Sequence, residues 1–152
     1  MTMNIRWEPY VWEEPHPVEP IKIEQLEQEW GVRLPLEYKK LVALYQGMAP
    51  EPSVFDAGKL RDVFCVLLTI IVDEEKESYS VVRAYDILKP HIPAGIYPFG
   101  KTSGGEYLCF DYRTPPDHPK VVLVTVEAFI RSVADSFTEF MDRLHNGGTL
   151  RA

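Results

Sequence analysis

The chain has 152 residues, 45% of them hydrophobic and 26% charged, and 23 carboxylates against 16 lysines and arginines give a formal net charge of −7. This length and composition predict one folded domain with an ordinary hydrophobic core rather than a disordered chain. The negative charge disfavours direct binding to nucleic acid, because such binding depends on cationic side chains that displace counterions. The same charge would speed the encounter with a basic partner protein.

Residues 1 to 19 are predicted to form an extended arm that packs on the domain, and residues 20 to 152 are predicted to form the domain itself. Prolines at positions 9, 15, 17 and 20 restrict regular structure in the arm, and Trp7 and Trp12 are available to insert into the domain surface. The arm is acidic and has no apolar run, which excludes a signal peptide, and the longest apolar stretch, 63–72, is too short for a membrane helix. We therefore expect a cytoplasmic protein without membrane contact.

Two helices are predicted after the arm. In the first, residues 21–30, Ile23, Leu26 and Trp30 recur at helical spacing, and Gly31 is placed to end the helix. The second begins near Pro35 and ends at Gly47. Its predicted buried face consists of Tyr38, Leu41, Val42 and Tyr45.

The middle of the chain is predicted to contain a loop, a strand and a third helix. Prolines at positions 50 and 52 favour a loop over residues 48–61, and the apolar run 63–72 favours a buried strand. The acidic residues 73–77 indicate the solvated start of a helix, and apolar residues at helical spacing over 81–88 continue it until Pro90.

Residues 97–113 hold a glycine-rich segment followed by an alternating apolar pattern. Gly100, Gly104 and Gly105 permit backbone angles that side chains forbid, so they predict a tight turn before a strand. A phosphate-binding Walker loop needs four residues between its glycines and a following helix, and neither is present. The glycines are therefore interpreted as structural.

Two paired strands, 107–111 and 121–126, are predicted around a turn at 114–117, with a further short strand near 129–132. Ser136 and Glu139 match a capping box, so a terminal helix is predicted with Phe137 and Phe140 on its buried face. Helices first, strands next and a helix last indicate a single α+β domain, with a mixed, mainly antiparallel β-sheet flanked by N-terminal helices and a C-terminal helix.

No catalytic or metal-binding constellation is predicted. Cys65 and Cys109 are expected to be buried free thiols, because their spacing fits neither a zinc site nor a disulfide framework. The serines lack the Gly-x-Ser-x-Gly context of a nucleophile elbow. The four histidines, at positions 16, 91, 118 and 145, have no metal-ligand spacing.

The order and spacing of these residues resemble the SUKH superfamily over about residues 20 to 145. The residues that carry the resemblance are Ile23, Leu26, Glu27, Gly31, Leu34, Pro35, Tyr38, Gly47, Phe99, Gly100, Gly105, Glu106, Asp111, Pro119, Val121, Ala134, Asp135, Ser136, Phe137 and Phe140. The superfamily includes yeast cell-wall regulators and many bacterial immunity proteins. The resemblance implies a sheet flanked by helices, no active site and no cofactor, and a function of neutralising a toxin domain, frequently a nuclease. Glu106 stands where the family usually has Asp, and the arm lies outside the shared pattern.

A partner-binding surface of exposed carboxylates with a few aromatic anchors is therefore expected, directed at a basic carboxy-terminal toxin domain. The candidate residues are Asp56, Asp62, Asp73, Glu74, Glu75, Glu106, Asp111 and Asp117, with Trp12 and Tyr112 as anchors. Two alternatives remain open at this point. One is a small-molecule or nucleotide-binding enzyme that uses the glycine turn with Lys101, Glu106 and Asp111, and the other is a regulatory scaffold.

Overall fold

A computed structural model describes residues 5 to 147 of the chain, which form one α+β domain. Residues 1–4 of the predicted arm and 148–152 of the predicted domain lie outside this range. The helices are α1 (Pro20–Trp30), α2 (Leu36–Tyr45), α3 (Val81–Leu88) and α4 (Phe137–Asp142). The strands are β1 (Arg6–Pro9), β2 (Met48–Glu51), β3 (Val54–Ala57), β4 (Leu60–Leu67), β5 (Ile96–Thr102), β6 (Tyr107–Asp111), β7 (Lys120–Val124) and β8 (Ile130–Ala134).

Six of these strands form one sheet in the order β3-β4-β5-β6-β7-β8, and β1 pairs with β2 in a separate two-stranded sheet. All neighbouring pairs are antiparallel. Because consecutive strands in the large sheet are neighbours, short turns connect β3 to β4, β5 to β6 and β7 to β8. The α+β fold class predicted from the sequence is confirmed.

Helices α1 and α2 lie close to their predicted positions. Gly31 ends α1 with a left-handed backbone, φ 71°, and donates its N–H to Glu27 O. The Glu27 carboxylate accepts a 2.7 Å hydrogen bond from the Leu34 N–H and lies 3.2 Å from Lys39 Nζ. Glu27 thus joins the end of α1 to the loop before α2 and to α2 itself.

The core lies between these helices and the large sheet, and a group of aromatic rings packs together within it. Tyr38 of α2 meets Phe110 and Phe137 edge-on at 5.0 Å and 5.7 Å between ring centroids. Phe99 of β5 stacks on Phe110 at 4.5 Å and meets Phe140 of α4 at 5.9 Å. Edge-to-face and offset contacts of this kind add to the stabilisation that burial provides.

The terminal helix and its capping box are confirmed. The Ser136 hydroxyl accepts a 3.0 Å hydrogen bond from the Glu139 N–H, and the Glu139 carboxylate accepts one of 2.7 Å from the Asp135 N–H. Phe137 and Phe140 are buried, as the spacing predicts. The third helix is confirmed over Val81–Leu88, before Pro90. Its predicted start is wrong, because the acidic residues lie in a separate 3-10 helix, Glu74–Tyr79, and the extended Ser80 caps α3 by accepting a hydrogen bond from the Arg83 N–H.

The predicted loop over residues 48–61 is wrong, since this segment contains β2, β3 and the start of β4. Pro50 lies opposite Trp7 in the two-stranded sheet. Only one edge of β2 pairs with another strand there, and on the unpaired edge the N–H that proline lacks is not needed for a strand hydrogen bond. Strand β4 ends at Leu67, so the predicted strand over 63–72 is correct only in its first half.

The glycine-rich segment is also different from the prediction, because residues 96–102 form strand β5. Gly100 lies inside this strand, next to a shift in its pairing with β6, and only Gly104 and Gly105 belong to the turn. Of the three glycines, Gly105 alone has a positive φ, of 82°. The two thiols are free, although Cys65 is only half-buried while Cys109 is fully buried.

The described part of the N-terminal segment runs along α2 and the two-stranded sheet. Trp7 of β1 stacks on Tyr45 of α2 at 5.1 Å between ring centroids. Farther along, the Val11 N–H donates to Gly47 O and the Val18 N–H donates to Ala43 O, both at 2.9 Å. These backbone contacts fix the segment at several points between β1 and α1.

Candidate partner-binding surface

The ten residues predicted to bind a partner lie at separate places on the molecule. Two of them, Asp62 and Glu106, lie at the same end of the large sheet. The register pairs Phe64 with Thr102 and Tyr107 with Val124, so the turns at 58–59, 103–106 and 125–129 all lie at this end. We call these three turns, together with residues 60–63 at the start of β4, the hairpin end.

Hydrogen bonds join the parts of the hairpin end. The Ser103 hydroxyl donates to Asp62 Oδ1 at 3.4 Å, and the Ser103 N–H donates to Val63 O at 3.2 Å. The Glu106 N–H donates to Thr102 Oγ1 at 3.0 Å. Glu106 Oε2 accepts a 3.3 Å hydrogen bond from the Val126 N–H in the next turn. The carboxylates of Asp62 and Glu106 therefore hold neighbouring turns in fixed positions while remaining half-exposed.

Four further candidates lie together beyond the opposite end of β4: Trp12, Asp73, Glu74 and Glu75. The Trp12 Nε1–H donates to Asp73 Oδ2 at 3.1 Å, and this hydrogen bond lowers the pKa of Asp73. The indole also stacks on His16 at 4.1 Å and is half-buried, so it anchors the arm to its own domain. Glu74 and Glu75 are exposed at the start of the short helix Glu74–Tyr79.

Asp111 and Tyr112 were expected to be exposed, and this expectation is wrong. Asp111 is 7% exposed and accepts hydrogen bonds from Arg113 Nε and Nη2 at 3.0 Å and 2.9 Å. Burial alone would raise the pKa of Asp111, but the hydrogen bonds from Arg113 outweigh it and lower the pKa. Tyr112 is 6% exposed and donates its hydroxyl proton to Arg33 O at 2.7 Å. Both side chains therefore make contacts within the domain. Asp111 is the last residue of β6, and Tyr112, which follows it, binds the loop between α1 and α2.

The last two candidates stand apart from the others. Asp56 is held by Arg61 Nε at 2.8 Å and by His145 Nε2 at 3.0 Å, and the hydrogen bond from Arg61 lowers its pKa. Asp117 is exposed in the loop between β6 and β7. Asp56 thus borders the hairpin end through Arg61, whereas Asp117 lies at the opposite end of the sheet.

The geometry offers no pair of groups for acid and base chemistry at the glycine turn. Glu106 and Asp111 stand at opposite ends of β6, and five residues of strand separate two positions by about 16 Å. Lys101 Nζ lies over the rings of Tyr79 and Tyr107, at 5.6 Å and 5.8 Å from their centroids. Across residues 5–147, no three side chains of the metal-ligating types gather at one point.

Sequence reasoning missed two exposed apolar side chains at the hairpin end, Val126 and Phe129, which are 69% and 63% exposed. The sequence does show that two apolar residues flank Glu127, but this segment was predicted partly as strand. The predicted strands 121–126 and 129–132 include both residues, and a strand prediction does not show where the hairpin turns.

The described residues thus form a small α+β domain with a hydrogen-bonded group of turns at one end of its large sheet. The chain belongs to the SMI1 / KNR4 family (SUKH-1), whose family model matches residues 17–143. This match confirms the resemblance to the SUKH superfamily, which is an immunity-protein family in general. No curated protein matches the chain. Among the described helices, none has the length and apolar character needed to cross a membrane.

Proposed function

We propose that this protein is an immunity protein that binds a cognate toxin domain and neutralises it by covering its surface. The observation that carries the proposal is the match of residues 17–143 to the SUKH-1 family. The proposed toxin is a nuclease with a basic carboxy-terminal domain, and the proposed site of action is the cytoplasm of the cell that makes it.

Charge supports the choice of a nuclease. The chain carries a formal net charge of −7, and a nuclease holds the phosphates of its substrate with lysines and arginines. An acidic inhibitor attracts such a surface over long range and speeds the encounter. The inhibitor needs no catalytic group, because occupying the substrate-binding surface is sufficient.

The alternative of an enzyme at the glycine turn has less support. Its three proposed groups, Lys101, Glu106 and Asp111, have different partners in the fold: two tyrosine rings, the Val126 N–H and Arg113. The family is also not known as an enzyme family. If the protein only binds a partner, Lys101, Glu106 and Asp111 can keep the contacts they make in the fold.

The proposal is tested first on the genes that flank this chain's gene, where we expect a reading frame with a basic carboxy-terminal domain, and then by co-expression with that domain. We expect cells to survive the toxin domain only when this chain is present, and the two purified proteins to form a stoichiometric complex whose association slows as salt rises. A variant with Asp62, Glu74, Glu75 and Glu106 all reversed to lysine should associate more slowly and with a weaker salt dependence. Survival without complex formation, or turnover of a substrate that is lost in Glu106→Gln, would contradict the proposal.

A further inference from the structure

The turn at 125–129 is unlike an ordinary connection between two strands. It places Val126 and Phe129 in solvent, with 69% and 63% of their surfaces exposed. Residues at such tips are usually glycine, asparagine, aspartate or serine, because these residues fit the backbone and are well solvated. Two large apolar side chains in one five-residue turn therefore need another explanation.

Val126 and Phe129 stand three residues apart in one turn at this end of the molecule. Of the nine large hydrophobic residues that are exposed in the described chain, Leu60 also belongs to the hairpin end, but two strands, β5 and β6, separate its strand β4 from β7. Leu36 and Leu44 stand at opposite ends of α2, and Ile21 and Ile87 are single positions on α1 and α3. Scattered exposed side chains are normal for a folded protein, whereas a cluster indicates an interaction site.

The backbone of this turn is held in one conformation. Ala128 has a φ of 67°, in the left-handed region where this type of hairpin loop normally has glycine. The Thr125 N–H donates to Phe129 O at 2.9 Å, the Ala128 N–H donates to Thr125 O at 2.8 Å, and the Phe129 N–H donates to Thr125 Oγ1 at 3.1 Å. The Val126 N–H is bound by Glu106, as described above. The backbone of this turn is thus strained at Ala128 and fixed by four hydrogen bonds. Because the turn is already ordered, binding a partner through its side chains costs little conformational entropy.

The charges around this turn show which kind of partner fits it. Glu127 lies between the two apolar side chains and is exposed, and Asp62 and Glu106 stand in the neighbouring strand and turn. Lys59 and Arg61 also belong to the hairpin end, Arg61 is engaged by Asp56, and the exposed Arg131 follows Phe129 by two residues on β8. Three carboxylates against two cations give the hairpin end a formal charge of −1, and Glu127 and Glu106 are the carboxylates attached to the turn itself.

We propose that the hairpin end is the surface that holds the toxin, with Val126 and Phe129 as its anchors. This inference rests on the proposed function and adds which surface acts. The partner presents an apolar pocket bordered by lysine and arginine side chains. Phe129 and Val126 fill the pocket, while Glu127, Asp62 and Glu106 meet the surrounding cations. Apolar anchors at the centre of an interface carry most of its binding energy, and charges at its rim mainly set the association rate.

The test uses the full chain and, as probe, the basic carboxy-terminal domain that we expect to be encoded beside its gene, inactivated at its catalytic site. We expect the double substitution Val126→Ser with Phe129→Ser to weaken binding at least tenfold, mainly through faster dissociation. The matched control is Leu36→Ser with Leu44→Ser, which removes two equally exposed apolar residues from α2 and should change affinity by less than twofold. Glu127→Lys should slow association at low salt and have little effect at high salt.

The outcomes separate the two proposals. If the wild-type chain does not bind the probe, both the proposed function and this surface are wrong. If the wild-type chain binds and the Val126 and Phe129 variant binds equally well, with unchanged thermal stability, the protein is an immunity protein that uses another surface. If only the Leu36 and Leu44 variant loses binding, the interface lies at α2 and the proposed surface is wrong.

Discussion

Gly100 lies directly against the ring of Phe64: a Cβ atom built on Gly100 would be 2.7 Å from Phe64 Cε1. Packed carbon atoms in proteins are normally 3.5 to 4.0 Å apart. Phe64 is fully buried and touches Phe99 and Phe140, so its ring has little room to move. The glycine at this position is required for packing rather than for an unusual backbone angle.

Gly100→Ala should therefore lower the free energy of unfolding by about 1 to 3 kcal/mol, the usual cost of overpacking a core. The control is Gly104→Ala, whose new Cβ would meet nothing closer than Thr102 Oγ1 at 3.9 Å, and which should be nearly neutral. Gly105→Ala should cost about 1 kcal/mol because of its left-handed backbone, φ 82°. Urea unfolding measures all three, and equal losses at Gly100 and Gly104 would contradict the packing explanation.

Two buried tyrosines predict opposite effects of losing a hydroxyl. Tyr38 is 1% exposed, and among residues 5–147 its hydroxyl has no hydrogen-bond partner. Tyr38→Phe should therefore be neutral or stabilise the protein by about 1 kcal/mol. Tyr112→Phe should destabilise it by about 1 kcal/mol, because it leaves Arg33 O without its 2.7 Å hydrogen bond. Thermal unfolding of the two variants should shift in opposite directions, and a marked loss in Tyr38→Phe would show that the hydroxyl is satisfied.

The helices were predictable from sequence because their signals are local. Apolar residues at helical spacing, Gly31 at the end of α1 and the Ser136 capping box all act within a few residues. The strands that were missed depend on distant partners. Pro50 and Pro98 lie in strands that the sequence did not predict, since whether a proline fits a ladder depends on the neighbouring strand and its register.

The candidate surface was only partly predictable for a related reason. Sequence shows that Asp111 and Glu127 are both carboxylates, but not that Arg113 covers Asp111 while Glu127 stays exposed. Alternation assigns residues to two faces of a strand without showing which face other elements cover. Asp62 and Glu106 lie at the same end of the sheet because of the pairing of β4, β5, β6 and β7. This pairing brings together residues more than forty positions apart in the sequence.

The attachment of the arm depends on the contact between Trp12 and Asp73. Trp12→Phe keeps an aromatic ring against Gly47 but removes the Nε1–H that Asp73 accepts at 3.1 Å. We expect faster hydrogen exchange of the Val11 amide, which is bonded to Gly47 O, with no change at the buried amides of β6. Glu74→Gln, next to the contact but outside it, is the control. Unchanged exchange in Trp12→Phe would mean that backbone hydrogen bonds alone hold the arm.

Asp111 should make the protein sensitive to acid. Its ordinary pKa is 3.8, and the hydrogen bonds from Arg113 lower the pKa in the folded state below that value. A carboxylate with a lowered folded pKa stabilises the fold above its unfolded pKa, and this contribution is lost as the pH falls through the folded pKa. Wild type should therefore exceed Asp111→Asn in unfolding free energy by a constant amount above about pH 5, and the gap should narrow below pH 4.

The matched control for this prediction is Asp117→Asn, which changes an exposed carboxylate in the loop that follows β6. Its stability should follow that of the wild type across the same pH range. Urea unfolding at a series of pH values from 7 to 3 gives the three curves. If the gap between wild type and Asp111→Asn stays constant down to pH 3, or widens, the charged pair with Arg113 does not stabilise the fold. Asp111 would then act only by filling space at the end of β6.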